Sequence, residues 1–192
     1  MENRKRRIVV GITGASGSVY ALKFLQVLQD TGIEAHLVVT HSAETVLQHE
    51  CRIVPKELLQ YAHTLYNVDD IGAAIASGSF LYEAMVVIPC SMRTVGAVAS
   101  GIADNLLTRA ADVTIKEGRT LVMVPRETPF SPIHLENMLK LSRIGVRILP
   151  ACPGFYHNPQ SIDDLVKIMV GKVCDQLHIE HKLFKRWSGH AE

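Results

Sequence analysis

Short β-branched apolar runs, each stopping at glycine, proline or hydroxyl residues before a helix-period stretch, constrain this chain more than any other feature. Arg7 to Thr13 reads Arg-Ile-Val-Val-Gly-Ile-Thr and halts at glycines, which predicts a buried strand. Ser18 to Asp30 then sets Val19, Leu22, Leu25, Val27 and Leu28 at helical spacing, with Gly32 as the C-cap. Ala35 to Thr40 predicts a second strand, and Ser42 is positioned to cap a helix running toward Glu50. Pro55 starts a helix through about Leu65, and Ile71 to Ser79 reads as a small-residue loop. The alternation then returns. Strands are predicted at Ala84 to Pro89, Thr120 to Val124 and Val146 to Leu149, and helices at Ser91 to Ser100, Asn105 to Glu117 and Ile133 to Ile144. Ser161 and Asp164 form a capping box that opens a last long helix.

Strands alternating with helices of several turns imply an α/β fold, a doubly wound parallel sheet with right-handed crossovers, in the three-layer, flavodoxin-like or Rossmann-like manner. In such sheets ligands sit at the carboxyl ends of the strands, where strand order reverses. The loops after Thr13, Thr40, Pro89, Val124 and Leu149 are therefore the ones to interrogate.

A length of 192 residues suits one domain over 1–192, with a basic N-terminal tail (1–6) and a C-terminal tail (178–192). The net charge of +1 offers no broad field for nucleic acid or an anionic membrane, so positive potential must be local. Aromatic residues make up 6%, too few for base-stacking platforms. No run approaches the ~18 apolar residues of a spanning helix, and the basic run Asn3 to Arg7 leads into a strand rather than a secretory core. A cytoplasmic location is expected. Cys51, Cys90, Cys152 and Cys174 lack C-x-x-C or metal-ligand spacing and read as reduced, mostly buried thiols. His178 and His181 share a face of the C-terminal helix region but have no third ligand, so no metal site is expected.

The first loop, Gly11-Ile-Thr-Gly14-Ala15-Ser16-Gly17, lets the backbone approach an anion at a helix N-terminus. By itself the string suits a bare tight turn equally well. The second strand ends Val39-Thr40-His41 without the carboxylate that a dinucleotide's ribose requires, which favours a mononucleotide such as FMN over NAD. In the third loop, Pro89-Cys90-Ser91-Met92-Arg93-Thr94, capping explains Ser91 but leaves Arg93 over. Arg109 and Asp112, and Asp112 and Lys116, are spaced to pair on one helix face. Arg126 and Glu127 stand between two prolines just beyond a strand end. The Pro150 to Pro159 loop is semi-rigid and presents Tyr156, while Phe155 reads as packing.

Taken in order, G-I-T-G-A-S-G, P-C-S-M-R-T, D-N-L-L-T-R-A-A-D-V-T-I-K-E, P-R-E-T-P, I-H-L-E-N-M-L-K-L and P-G-F-Y-H-N-P resemble the flavin prenyltransferase (UbiX-like) family over about residues 7 to 177. The resemblance implies transfer of a dimethylallyl group from dimethylallyl phosphate to N5 and C6 of reduced FMN. The product, prenylated FMN, would serve a UbiD-type decarboxylase, and the enzyme would be a metal-independent homo-oligomer, commonly a dodecamer with sites at subunit contacts. By the same resemblance Gly14, Ala15, Ser16, Thr40, Ser91, Met92, Arg93, Thr94 and Arg126 would bind FMN. Arg109, Lys116, Tyr156 and Lys172 would hold the donor phosphate, and Ser16, Glu50 and Glu127 would stand near the reacting atoms. Some members carry a tryptophan where this chain has Ile71, and Trp187 is the sole tryptophan here. An FMN-dependent cysteine decarboxylase of the related fold, or a non-catalytic flavin-carrying subunit, are the alternatives.

Overall fold

The computed structural model describes residues 5–189, so Asn3 and Arg4 of the basic run and the end of the C-terminal tail lie outside the described residues. A parallel sheet holds strands β1 (Arg7–Ile12), β2 (Glu34–Val39), β3 (Thr64–Tyr66), β4 (Ala84–Cys90), β5 (Thr120–Pro125) and β6 (Arg147–Ile148). Their order across the sheet is β3-β2-β1-β4-β5-β6, with every neighbouring pair parallel. The chain moves outward one way from β1, then returns to place β4 on its other side. The strand order reverses between β1 and β4. The expected doubly wound α/β architecture is present.

The central strands are apolar on both faces because both faces are covered. β4, Ala84–Cys90, is buried along its whole length. On one side Ile8, Val10 and Ile12 meet Phe24, Leu25 and Leu28 of α1 (Ser18–Asp30) and Val166, Val170 and Val173 of α6 (Ile162–Gln176). Leu47 of α2 (His41–Cys51) joins the same layer. On the other side Val9, Met85 and Val87 pack against α3 (Met92–Ala99), α4 (Leu106–Lys116) and α5 (Pro132–Arg143) through Val95, Leu107, Ala111, Met138 and Leu141. Each of these buried apolar side chains contributes about 2 kcal/mol relative to an exposed one.

Local capping chemistry places most helix starts where hydroxyl or amide side chains stand. Ser91, Asn105, Ser131 and Ser161 each accept a hydrogen bond from the backbone of the first turn, and Ser161 and Asp164 form the expected capping box. Several expectations are corrected. Thr40, not Ser42, caps α2, accepting from Ala43 N. The helix expected from Pro55 through Leu65 is a 3-10 turn over Pro55–Gln60, followed by the short edge strand β3. The last strand is only Arg147–Ile148. Gly32, at φ +69°, follows the cap residue Thr31.

The two tails are also tied down within the described residues. Lys5 and Arg6 pair with Glu34 and Glu83 while staying exposed to solvent. α6 ends at Gln176 and His178 takes φ 53°, so His178 and His181 share no helix face. Cys90 and Cys174 are buried, but Cys51 is half-buried and Cys152 exposed, so the thiols divide evenly rather than being mostly buried. No helix among the described residues is long and apolar enough to cross a membrane.

Candidate functional site

The strand-order reversal leaves a crevice of about 410 Å³ at the carboxyl edge, walled by the loops that leave β1, β2 and β4. Thr13, Thr40, Ser42, Ser91, Arg93 and Thr94 line it together with Asp104 and Asn105. α2, α3 and α4 all begin here, so three helix N-termini turn their positive ends toward one cleft. Such a setting suits a phosphate or another electron-rich edge.

Thr13 fixes the floor of the cleft. Its buried hydroxyl donates to Pro89 O (2.8 Å) and accepts from Ser91 N (2.7 Å), which locks the β1 and β4 loops to each other. The β1 loop then passes so close to α2 that a Cβ on Gly14 would lie 2.5 Å from Ser42 Oγ. Ala15 is buried and Ser16 is exposed at the tip. Gly17 adopts φ +113° to enter α1, a conformation that favours glycine.

Glu50, from the last turn of α2, accepts from the backbone N–H groups of Gly17 and Ser18 at 2.9 Å each. Burial alone would raise this carboxyl, but the hydrogen bonds from the Ser16 hydroxyl and from those two N–H groups outweigh it and hold the pKa below the ordinary value. Arg126, just past β5, donates from Nε to Ser16 O (3.2 Å). Ser16, Glu50 and Arg126 are thus brought together around one turn. Glu127 is half-buried beside them in sequence, its carboxylate accepting from Thr128 N (3.1 Å).

The cleft's charges are paired locally. Arg93 meets Asp104 at 2.8 Å and His41 meets Asp69 at 3.0 Å. Ser91 and Thr94 place their hydroxyls 3.0 Å apart. Met92 is half-buried at the start of α3. Thr13, His41, Ser42, Asp69 and Asp104 were not among the site residues expected from the sequence, where Ser42 was read only as a helix cap. The hydroxyl ending β1 was the available signal for Thr13, whereas Asp69 becomes visible only once β3 is known to end at Tyr66.

The residues expected on the donor phosphate fall elsewhere within the chain. Arg109 pairs with Asp112 at 2.6 Å, as its spacing predicts. Lys116, however, pairs with the adjacent Glu117 and not with Asp112. It stands at the far end of α4, about 15 Å from the cleft at 1.5 Å per residue, next to the start of β5. Lys172 lies in the third turn of α6, and its ammonium sits 5.5 Å from the Phe184 ring centre. Tyr156 is half-exposed and meets Trp187 edge-on at 6.1 Å. Phe155, expected to pack, is 69% exposed, because its loop runs over the surface between two prolines. One chain therefore assembles the Ser16 cleft, sets Tyr156 against Trp187 and Lys172 over Phe184 on the α6 side, and leaves Lys116 at the far end of α4.

A Rossmann-like sheet whose switch-point crevice is lined by hydroxyls and helix N-termini, without an acid closing β2, defines a mononucleotide-binding α/β protein. A flavoprotein family model matches residues 1–174. The flavin prenyltransferase LpdB of Lactiplantibacillus plantarum is 51% identical over 185 residues, 96% of this chain and 99% of that protein. The mitochondrial flavin prenyltransferase PAD1 of Saccharomyces cerevisiae is 45% identical, over 97% of this chain and 77% of that protein. Among solved structures, AnUbiX (PadA1) in complex with FMN and dimethylallyl pyrophosphate superposes with a TM-score of 0.96 at 42% identity, covering 98% of this chain and all of that one. This chain belongs to the flavin prenyltransferase family. The peptidyl-cysteine decarboxylase EpiD, at 19% identity and a TM-score of 0.67, shares the fold alone.

Proposed function

We propose that this chain is a flavin prenyltransferase that joins a dimethylallyl group from dimethylallyl phosphate to N5 and C6 of reduced FMN. The observation that carries the reading is the switch-point cleft, where a Cβ at Gly14 would strike Ser42 and Thr13 ties two strand-end loops together. A flat, phosphorylated ligand needs that closeness of backbone. Gly14, Ala15, Ser16, Thr40, Ser91, Met92, Arg93, Thr94 and Arg126 hold FMN, whose residue types fit a phosphate at helix N-termini and polar contacts along a ring edge. Bound reduced FMN supplies the nucleophilic N5 and then C6.

The chain's own residues orient and neutralise. Glu50 stays ionised and fixes the Ser16 turn through the Gly17 and Ser18 N–H groups. Arg109, Lys116, Tyr156 and Lys172 offer cations and a phenol to the charge that grows on the departing phosphate, a service other enzymes take from a metal ion. Glu127, or the released phosphate itself, would carry the protons that the second bond requires, accepting the one lost from C6 while the prenyl double bond takes up the one lost from N5. Because Lys116 and the Ser16 turn stand at opposite edges of one subunit, Lys116 reaches a donor only at a site shared between copies. That agrees with a homo-oligomer, and the UbiX-like relative from Escherichia coli O157:H7, 45% identical with a TM-score of 0.93, is described as dodecameric. A UbiD-type decarboxylase is the recipient of the prenylated flavin.

Anaerobic incubation with reduced FMN and dimethylallyl phosphate, with the flavin product read by mass, tests the reading directly. A mass gain equal to one dimethylallyl group less the displaced hydrogen is expected. Unmodified flavin with both dimethylallyl monophosphate and diphosphate would remove the proposal.

A further inference from the structure

The two donor-holding side chains on the α6 flank, Tyr156 and Lys172, come from different elements, yet one segment touches both. After α6 the chain turns back at His178 and runs along the helix it has just left. Ile179 is buried in the core and Leu183 packs against it. Phe184 then lies under the Lys172 ammonium, and Trp187 meets the Tyr156 ring at 80°. A single residue of α6 anchors the return: Asp175 accepts from His181 Nε2 at 3.1 Å and from both terminal nitrogens of Arg186 at 3.2 and 2.7 Å. The His181 side chain in this latch is 2% exposed. The latch lies beside the only glycine of α6, Gly171, where a Cβ would collide with the Phe184 ring and come within 2.8 Å of His181 Cε1.

We propose that residues 179–189 are a strap, latched on Asp175 and seated over Gly171, that holds Tyr156 and Lys172 in position for the phosphate of the prenyl donor. The inference rests on the flavin prenyltransferase reading and adds to it a positioning device outside the flavin cleft. Asp175, Gly171, Phe184 and Trp187 act through Tyr156 and Lys172 and are positioning residues. An ionic latch of one carboxylate with an imidazole and a guanidinium fixes direction as well as proximity, because both of the carboxylate's oxygens are engaged. The glycine in the middle of a helix, where alanine is the better helix former, leaves room for the strap rather than serving the helix.

Two variants separate the strap from the fold. Gly171→Ala improves helix propensity while displacing Phe184 and His181, and Asp175→Ala opens the latch without adding bulk. Prenyl transfer is followed against dimethylallyl phosphate concentration in the wild type, in both variants and in Trp187→Phe. In Gly171→Ala and Asp175→Ala the donor KM is expected to rise at least tenfold. Their kcat should fall less than threefold and their FMN dissociation constant should stay within twofold of wild type. Trp187→Phe keeps a ring against Tyr156 but loses the indole N–H, and should raise the donor KM less than either strap variant. Trp187 is the sole tryptophan, so its emission in oxidised, FMN-loaded protein reports on the strap without turnover and should shift red in both strap variants. Red-shifted emission with an unchanged donor KM overturns the strap's role, as does a loss of FMN binding equal to the rise in KM. A wild-type protein that binds FMN yet yields no prenylated flavin fails at the underlying reading instead, and the strap proposal goes with it.

Discussion

The flavin cleft and the α6 flank are built by opposite means. The cleft is made mostly of backbone and the smallest polar side chains, with Thr13, Gly14, Ser91 and Thr94 set by strand ends and helix caps. The flank is made of long side chains, Tyr156, Lys172, Phe184, Arg186 and Trp187, whose positions depend on a returning segment. The first is rigid because moving it breaks the sheet. The second can loosen while the sheet stays whole. Perturbations of the two regions should therefore separate cleanly into flavin binding and sheet stability on one side and donor handling on the other.

The largest separation should come from acid. His36 on β2 is 4% exposed, its Nδ1 lies 2.9 Å from Tyr66 OH on β3, and its Nε2 is buried without a hydrogen-bond partner. Burial first, then the nearby His63 and Arg7, push its pKa down from 6.5 to about 4. Below pH 6.5 the unfolded chain gains a proton on this residue that the native sheet refuses until about pH 4, so stability falls through that window. At 1.36 kcal/mol per pH unit the loss approaches about 3 kcal/mol. Urea midpoints of wild type and His36→Leu, measured at pH 7 and pH 4.5, should diverge on acidification, with the variant losing less. Parallel losses would show that His36 does not carry this term.

Next is Gly14→Ala. The new Cβ meets Ser42 Oγ at 2.5 Å, Ser42 Cβ at 2.6 Å and the Ser42 carbonyl carbon at 3.2 Å. Backbone cannot rotate away as a flexible side-chain tip can, so the start of α2 must shift. FMN affinity should fall at least a hundredfold, about 2.8 kcal/mol, by flavin fluorescence titration. The Trp187 emission maximum should not move, because the flank is untouched. A change in both would erase the distinction between the regions.

On the flank, Lys172→Ala removes one of the cations proposed to hold the donor phosphate and leaves the cleft intact. Dimethylallyl phosphate binding should weaken about tenfold, roughly 1.4 kcal/mol, with FMN still bound. Loss of FMN instead would place Lys172 in the other region. Because Lys172 also stacks on Phe184, Lys172→Arg, which restores a cation over the ring, should recover most of the loss.

The same contrast explains what could be read from the sequence. The cleft was legible because its parts are local: a glycine run after a β-branched strand, hydroxyls ahead of helices, and a second strand ending in Thr40 instead of an acid. The parallel, doubly wound class followed from alternation, whereas the strand order and the place of the switch point came only with the structure. β3 was not legible, since Thr64–Tyr66 is an edge strand of only three half-buried residues with no room for a period of two. A proline-started helical pattern ran over it. The strap was invisible for a different reason. Its contacts pair Phe184 with Gly171 and Trp187 with Tyr156, and nothing in the order of residues 179–189 announces which helix they fold back upon. The motif order was also silent on distance. Arg109 and Lys116 lie on one short helix, and only its direction, running away from the cleft, puts Lys116 far from the Ser16 turn, which is why the proposed donor site draws on another copy.

That last point carries the smallest effect on the isolated subunit and the sharpest discrimination between copies. Lys116 is exposed and, among the described residues, its ion pair is with its exposed neighbour Glu117, so Lys116→Ala should change stability by less than about 0.5 kcal/mol and leave FMN affinity within twofold. Product formation should nonetheless fall, because the donor phosphate loses a cation supplied across a subunit contact. Co-assembly with a second impaired variant, Gly14→Ala, distinguishes this from an effect inside one chain. Mixed oligomers contain some sites that pair an intact flavin cleft from one parent with an intact Lys116 from the other, so activity in mixtures should rise above that of either parent. Mixtures no more active than their parents, under conditions where subunit exchange is demonstrated, would put Lys116 outside the reaction altogether.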